Sequence, residues 1–373
     1  MAPLVIDIRS AEDTRDVVHR AVQALAEGRI VALPTETVYG LAVSALDERA
    51  VDRLLAVKNR PEGQPLTLAV KSADDALDYV PDLSLLGRRL ARRCWPGPVT
   101  LVVDDRHPDS LVSQLPAVVR KAVAPTGTVG LRVPAHQTVI DVLRMMVGPI
   151  ALTSANRSGE PDAVTAEDVV RSLGDQVDLV INDGRSRLGQ ASTVVAVGKG
   201  DLKVLRAGVV SEPTLRRLAS MMILLVCTGN TCRSPMAEVL CRQMLADRKG
   251  CKPAELADHG VVIMSAGISA MMGGRPTPEA VEVMQRQGIC LSEHESQPLT
   301  AQLVRHADMI WTMTRSHRQA IVSQWPDAAA RTHVLSRDEG DIADPIGGPV
   351  EYYERCAAQI KAELAARLAE LEI

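Results

Sequence analysis

The segment Met222-Ile223-Leu224-Leu225-Val226 runs without a polar residue straight into Cys227-Thr228-Gly229-Asn230-Thr231-Cys232-Arg233-Ser234-Pro235. An unbroken apolar run of this length reads as a strand covered on both faces, the kind found in parallel sheets. Ser234 is a good N-cap and Pro235 suits the first helical position, so the stretch between is a tight strand-to-helix loop. Strand, loop and helix in this order demand an α/β architecture. They also converge the loop's N–H groups above a helix N-terminus, where an anion is favoured.

The residues on that loop have a chemistry to match. Cys227 opens it, and the helix dipole and a nearby guanidinium favour a thiolate there, the nucleophilic form. Arg233, with five residues between it and Cys227, can hold two oxygens of a phosphoryl group in its planar fork. Transfer of that group to sulfur needs an acid for the leaving group, and Asp344 stands on the Pro/Gly loop Asp344-Pro345-Ile346-Gly347-Gly348. With 7 cysteines in the chain, the Cys–Arg spacing alone would be weak. The strand before it and the capped helix after it make it a prediction of a cysteine-dependent phosphatase.

From about residue 221 to 373 the chain resembles the low-molecular-weight protein phosphatases. The matching pieces are Val226–Glu238, Ser265-Ala266-Gly267, Pro276–Ala280, Ala307–Ile310, Met313-Thr314 and Asp344-Pro345. The resemblance implies a flavodoxin-like, Rossmann-like parallel sheet with a phosphate-binding loop, and no cofactor. It implies Cys227 as nucleophile, Arg233 as phosphate ligand, and Asp344 as acid and then as base. Thr228, Gly229, Asn230, Thr231 and Cys232 would form the loop, and Ser234 would steady the thiolate. Cys232 looks like the family's second cysteine, able to trap an oxidised Cys227 as a disulfide. The substrate would be a phosphoprotein. Thr231 matches the protein-arginine-phosphatase branch, whereas tyrosine-specific members usually carry a bulky aliphatic there. Ile346 departs from both branches, which commonly place an aromatic at that point. An arsenate reductase would share the loop but needs a close cysteine pair elsewhere, and Cys290 stands alone.

The chain has 373 residues, 46% hydrophobic and 24% charged, with no Phe, 3 Trp and 4 Tyr. That is enough for two cores filled by aliphatic side chains. No apolar run approaches the roughly 20 residues of a membrane span. Asp7, Arg9, Glu12 and Asp13 interrupt any signal-peptide pattern. An odd number of irregularly spaced cysteines suits a reducing compartment, so the cytoplasm is expected. Residues 1–220 hold 27 basic and 27 acidic side chains and 221–373 hold 15 and 19, so neither half is a polycation built for nucleic acid. The basic pairs Arg88-Arg89 and Arg92-Arg93 read as a solvated helix face. We place one domain at 1–210, a linker at 211–221 and a second domain at 222–373.

In the first half, strand and helix patterns alternate. A strand at 29–33 leads into Pro34-Thr35-Glu36-Thr37-Val38-Tyr39-Gly40-Leu41, and a helix at 50–58 into Lys58-Asn59-Arg60-Pro61. Strands at 99–103, 128–133 (with Arg132) and 149–152 follow, the last running into Thr153–Gly159. Cations and hydroxyls on separate loops suggest a cleft for a polyphosphate and a small polar molecule.

These pieces, with Ser192-Thr193-Val194 and Arg206-Ala207-Gly208, resemble the YrdC-like threonylcarbamoyl-adenylate synthases over about residues 10–210. The resemblance implies a twisted mixed sheet with helices, and an enzyme taking L-threonine, bicarbonate and ATP to threonylcarbamoyl-AMP and pyrophosphate. The product would go to a tRNA-modifying transferase complex. Thr35, Arg132 and Ser192 would hold threonine. Lys58, Arg60, Thr128, Ser154, Asn156 and Arg206 would face ATP, with Mg2+ on its phosphates and no protein metal site. Gln64 and Ala69 depart from the pattern, which often has Lys or Asn and His there. The rival reading makes this half a module that holds double-stranded RNA by shape, with only the phosphatase catalytic.

Overall fold

In the computed structural model, residues 2–59, 64–338 and 340–371 are described. The chain divides into two compact units, residues 1–218 and 219–373. The stretch expected as a linker is largely ordered secondary structure, with a helix at Glu212–Ala219 and a strand that begins at Met221. No described helix is long and apolar enough to cross a membrane.

The first unit is built on β1 (Leu4–Asp7), β2 (Val31–Leu33), β3 (Gly40–Ser44), β4 (Thr67–Ala69), β5 (Val99–Asp104), β6 (Thr128–Arg132), β7 (Ile150–Ser154), β8 (Leu179–Asn182), β9 (Thr193–Val197) and β10 (Leu202–Arg206). They form one mixed sheet in the order β1-β8-β2-β3-β7-β4-β6-β5-β9-β10. Helices Thr14–Ala26 and Gln137–Met145 cover part of it, burying Val17, Leu25, Val139 and Leu143 against Val31, Leu33 and Ile181. Helix Glu48–Lys58 begins two residues before the expected start, because Asp47 accepts the N–H groups of Arg49 and Ala50. It stops at Asn59, whose φ of 42° is left-handed.

In the second unit β11 (Met221–Cys227), β12 (Val261–Gly267), β13 (Met309–Thr312) and β14 (Thr332–Val334) lie in the order β12-β11-β13-β14, every pair parallel. The unbroken apolar run in β11 now has its reason. Ile223, Leu225 and Cys227 face a core shared with helices Arg233–Lys249 and Val350–Ala369. Met222, Leu224 and Val226 face a second core with Val304 and Ile321, from helices Ala301–His306 and Arg315–Gln324. Chain connections leave β11 toward β12 on one side, and β13 lies on the other. The carboxyl end of β11 is therefore the switch point where α/β sheets open a crevice, and Cys227 is its last residue.

Candidate functional sites

In the second unit the loop after β11 wraps around the sulfur of Cys227. The Asn230 N–H donates to Sγ at 3.2 Å, and the Ser234 hydroxyl lies 3.0 Å from it. Ser234 does not cap the helix, as its sequence position suggested. The helix starts at Arg233, Cys232 occupies the cap position without a side-chain cap bond, and the serine hydroxyl is turned inward to the sulfur. Pro235 is tolerated because first-turn residues have no intrahelical N–H partner.

Asn230 sets the loop's shape. It is fully buried with a left-handed φ of 55°, and its amide donates to Ser234 Oγ at 2.9 Å and Ser265 Oγ at 2.8 Å while accepting from Gln297 N at 2.9 Å. Ser265 in turn donates to Glu238. His294 Nε2 meets the Asn230 carbonyl at 2.9 Å. Gly267, at the end of β12, leaves the loop its space: a Cβ there would lie 2.5 Å from Thr228 O and 2.9 Å from Asn230 N.

Arg233 is buried, and Nη2 donates to Asp344 Oδ2 at 2.5 Å while Nη1 donates to Ile342 O at 3.2 Å. The structure thus pairs Arg233 with Asp344, although 111 residues separate them, and Arg233 begins the helix that follows the loop opened by Cys227. Cys232 is buried beside Thr277, Tyr353 and Thr231, with sulfur–oxygen distances of 3.5, 3.9 and 3.6 Å. Ile346 is 63% exposed on the Asp344 loop. Sequence reasoning missed His317, whose ring touches Thr228 Oγ1 through Nε2 and Thr314 Oγ1 through Nδ1, both at 2.9 Å. Burial, and then the charge of Arg233, push its pKa down to about 4, so the imidazole is neutral near neutral pH. No spacing in the sequence marks it.

In the first unit a cavity of ≈ 90 Å3 opens where β6, β7 and the end of β10 meet the loops after β2 and before β9, and it gathers Thr35, Arg132, Ser154, Ser192 and Arg206. Period-2 alternation puts Gly130 and Arg132 on one face of β6, and Thr100 of β5 lies on that side too, its Cγ2 3.4 Å from where a Cβ on Gly130 would be. Thr100 and Thr67, which also line the cavity, were not singled out by the sequence. Arg206 Nη2 donates to Ser192 O at 2.9 Å and Oγ at 3.1 Å, and Ser192 Oγ lies 3.2 Å from Thr100 Oγ1. Thr35 Oγ1 donates to Val38 O at 2.6 Å and lies 2.8 Å from Thr37 Oγ1. Ala69 pairs with Arg132 in the β4–β6 register.

Other expected ligands sit outside that cavity. Lys58 is buried and donates to Ser154 O at 2.9 Å, to Asn156 Oδ1 at 3.1 Å and to the Asn156 carbonyl. It braces the 154–156 turn, where Ser154 Oγ also donates to Asn156 Oδ1 at 2.6 Å. Thr128 lines a wider cavity of ≈ 780 Å3 with Asp104, Arg106, Lys199 and Lys203. Arg60 lies outside the described residues. Arg132, finally, is held by a partner the sequence did not reveal, Glu36, at 2.8 Å with both side chains buried. Among the described residues no group of three or more His, Cys, Asp or Glu side chains is arranged to hold a metal ion.

Comparison with known proteins agrees with this division. A Sua5/YciO/YrdC family model, described as telomere recombination, matches residues 23–208, and the low molecular weight phosphotyrosine protein phosphatase model matches 222–372. Over the first unit the chain is 37% identical across 182 residues to the threonylcarbamoyl-AMP synthase of Pyrococcus abyssi, covering 49% of this chain and only 51% of that relative. A Mycobacterium leprae protein named for the same activity is 37% identical over 207 residues, covering 56% of this chain and 90% of that protein. Over the second unit the protein-arginine-phosphatase of Bacillus subtilis is 38% identical over 154 residues, covering 40% of this chain and 95% of that enzyme. A solved structure of a P. abyssi Sua5 variant matches with a TM-score of 0.52 at 25% identity, over 77% of this chain and 89% of that one. The chain therefore belongs to two enzyme families at once, the Sua5/YrdC threonylcarbamoyl-AMP synthases over its first unit and the low-molecular-weight protein phosphatases over its second.

Proposed function

We propose that the chain is a bifunctional enzyme, making threonylcarbamoyl-AMP in its first unit and dephosphorylating a protein in its second. The observation that carries the first half is the cavity on which Arg132, Thr35, Ser192, Ser154 and Arg206 converge. Arg132 would meet the threonine carboxylate, with Thr35 and Ser192 around the rest of the molecule. Arg206, at the rim, and the turn braced by Lys58 would face the phosphates of ATP, so that catalysis is chiefly positioning and charge stabilisation. Hydroxyls and cations are a donor set for phosphate oxygens, and Mg2+ would arrive on the nucleotide, neutralising its charge. Bicarbonate supplies the carbonyl, pyrophosphate leaves, and the adenylate passes to a tRNA-modifying partner. The naming of relatives as synthases supports catalysis over RNA binding.

The second half rests on the convergence of the Asn230 N–H and the Ser234 hydroxyl on Cys227 Sγ, with the Arg233–Asp344 pair at the far end of the same loop. Cys227 would attack phosphorus and form a phosphocysteine while Asp344 protonates the leaving group. Asp344 would then take a proton from the water that releases phosphate. Phosphoarginine is the favoured substrate, because Thr231 is polar and Ile346 offers no flat ring on which a phosphotyrosine would stack.

The test uses the full chain. Pyrophosphate release should require threonine, bicarbonate and ATP together, and phosphate release should be faster from phosphoarginine than from phosphotyrosine peptides, with Thr231→Ile reversing the order. Turnover without threonine would refute the first assignment. A phosphotyrosine preference in both proteins would refute the second.

A further inference from the structure

Arg132 does not meet the cavity as an unengaged cation. Its Nη2 donates to Glu36 Oε1 at 2.8 Å and Thr37 Oγ1 at 2.9 Å, and its Nε reaches Gly97 O at 3.3 Å. Glu36 spends its other oxygen on Ala135 N at 3.0 Å, and its carbonyl accepts Leu188 N at 2.9 Å. The side chains of Arg132 and Glu36 are 7% and 2% exposed. Only Nη1 is left without a partner among the described residues, on a side chain that lines the cavity.

Two consequences follow from elementary electrostatics. A guanidinium fixed along its Nη2 edge can offer a ligand carboxylate one nitrogen, in one direction, rather than its full fork. The buried floor of the cavity is also electrically balanced, since each buried charge has its opposite beside it. Arg206, the other cation on the cavity, is exposed and donates to Ser192. A ligand that is itself balanced, with an ammonium beside its carboxylate, adds no net charge to the floor. A bare carboxylate of the same skeleton would leave the floor with a net buried negative charge.

We infer that Glu36 is a positioning and specificity-determining residue, which aims Arg132 and restricts the cavity to zwitterionic α-amino acids over the corresponding hydroxy acids. The inference rests on the proposed threonine site and deepens it. Glu36 acts through Arg132.

The test is calorimetric titration of the full chain, without ATP, with L-threonine and with 2,3-dihydroxybutanoate, its α-hydroxy counterpart. The native chain should prefer the amino acid at least tenfold. Glu36→Gln frees Arg132 of its counter-charge, so threonine affinity should fall while affinity for the hydroxy acid holds or rises, reducing the preference at least tenfold. Pyrophosphate assays on the same variant should show a raised threonine KM with the ATP KM unchanged. Glu36→Asp keeps the charge but shortens its reach, so it should lose affinity for both ligands and keep the preference. It also carries the test alone should Glu36→Gln not fold. Equal losses for both ligands in Glu36→Gln, or a lost preference in Glu36→Asp, would overturn the role of Glu36 while leaving the threonine site standing. A native chain that binds no threonine would overturn both.

Discussion

Asn230 offers the sharpest test of how the loop after β11 is held. Its backbone is left-handed and its buried amide makes three hydrogen bonds, to Ser234, Ser265 and Gln297. Asn230→Ala removes the three bonds, at about 1 kcal/mol each, or about 3 kcal/mol together. It also puts a residue that resists positive φ into that conformation, adding about 1 kcal/mol. Asn230→Gly loses the same bonds but adopts the backbone freely, so it should lie about 1 kcal/mol above the alanine variant and about 3 kcal/mol below the native chain. Hydrogen exchange in graded urea, read on peptides from β11, reports the free energy of the second unit separately from the first. Phosphate release in parallel shows whether the loop still presents its amides. Equal stabilities for the two variants would mean that the backbone conformation is free of cost. A glycine variant as stable as the native chain would refute the network as a source of stability.

Cys227→Ser should abolish phosphate release and leave threonine-dependent pyrophosphate release intact, and residual phosphatase turnover would remove the cysteine from the mechanism. Gly267→Ala places a methyl group 2.5 Å from Thr228 O and 2.9 Å from Asn230 N, so phosphatase activity should fall at least tenfold; unchanged turnover would show that the loop yields. His317 has its pKa lowered from 6.5 to about 4, so between those values the unfolded chain binds a proton that the folded chain refuses. Stability of the second unit should therefore fall as pH drops from 6.5 to 4, and His317→Gln should flatten that slope; an unaltered pH profile would disprove the assignment. Lys58→Met should raise the ATP requirement through the unbraced 154–156 turn, and an unchanged ATP KM would count against that role.

The strand, loop and helix around Cys227 were legible in the sequence because their determinants are local, namely an apolar run, a glycine and a proline. Asp344 was legible as chemistry, but its pairing with Arg233 was not, since nothing along the chain encodes a contact that distant. The same holds for Glu36, which reads as one polar residue among several until β6 brings Arg132 beside it. Ser234 reads as a cap in sequence because a hydroxyl at a helix start has two uses, and only the sulfur's position decides between them. The strand order of the first unit was equally hidden, since β4 inserts between β6 and β7 through pairings of both directions.

The ion pair between Arg233 and Asp344 gives the second site a resting occupant of its own. Under the proposed mechanism the guanidinium awaiting a phosphoryl dianion is already engaged by a carboxylate, one that is 44% exposed and carried on a Pro/Gly loop. Substrate entry is therefore an exchange of one anion for another, and the measured affinity is a difference between two grips on the same cation. The exchange also sets the displaced Asp344 carboxylate free to take up a proton from solvent, which it can then pass to the leaving group. Inorganic phosphate would meet the same competition from Asp344 for the guanidinium, which works against its retention.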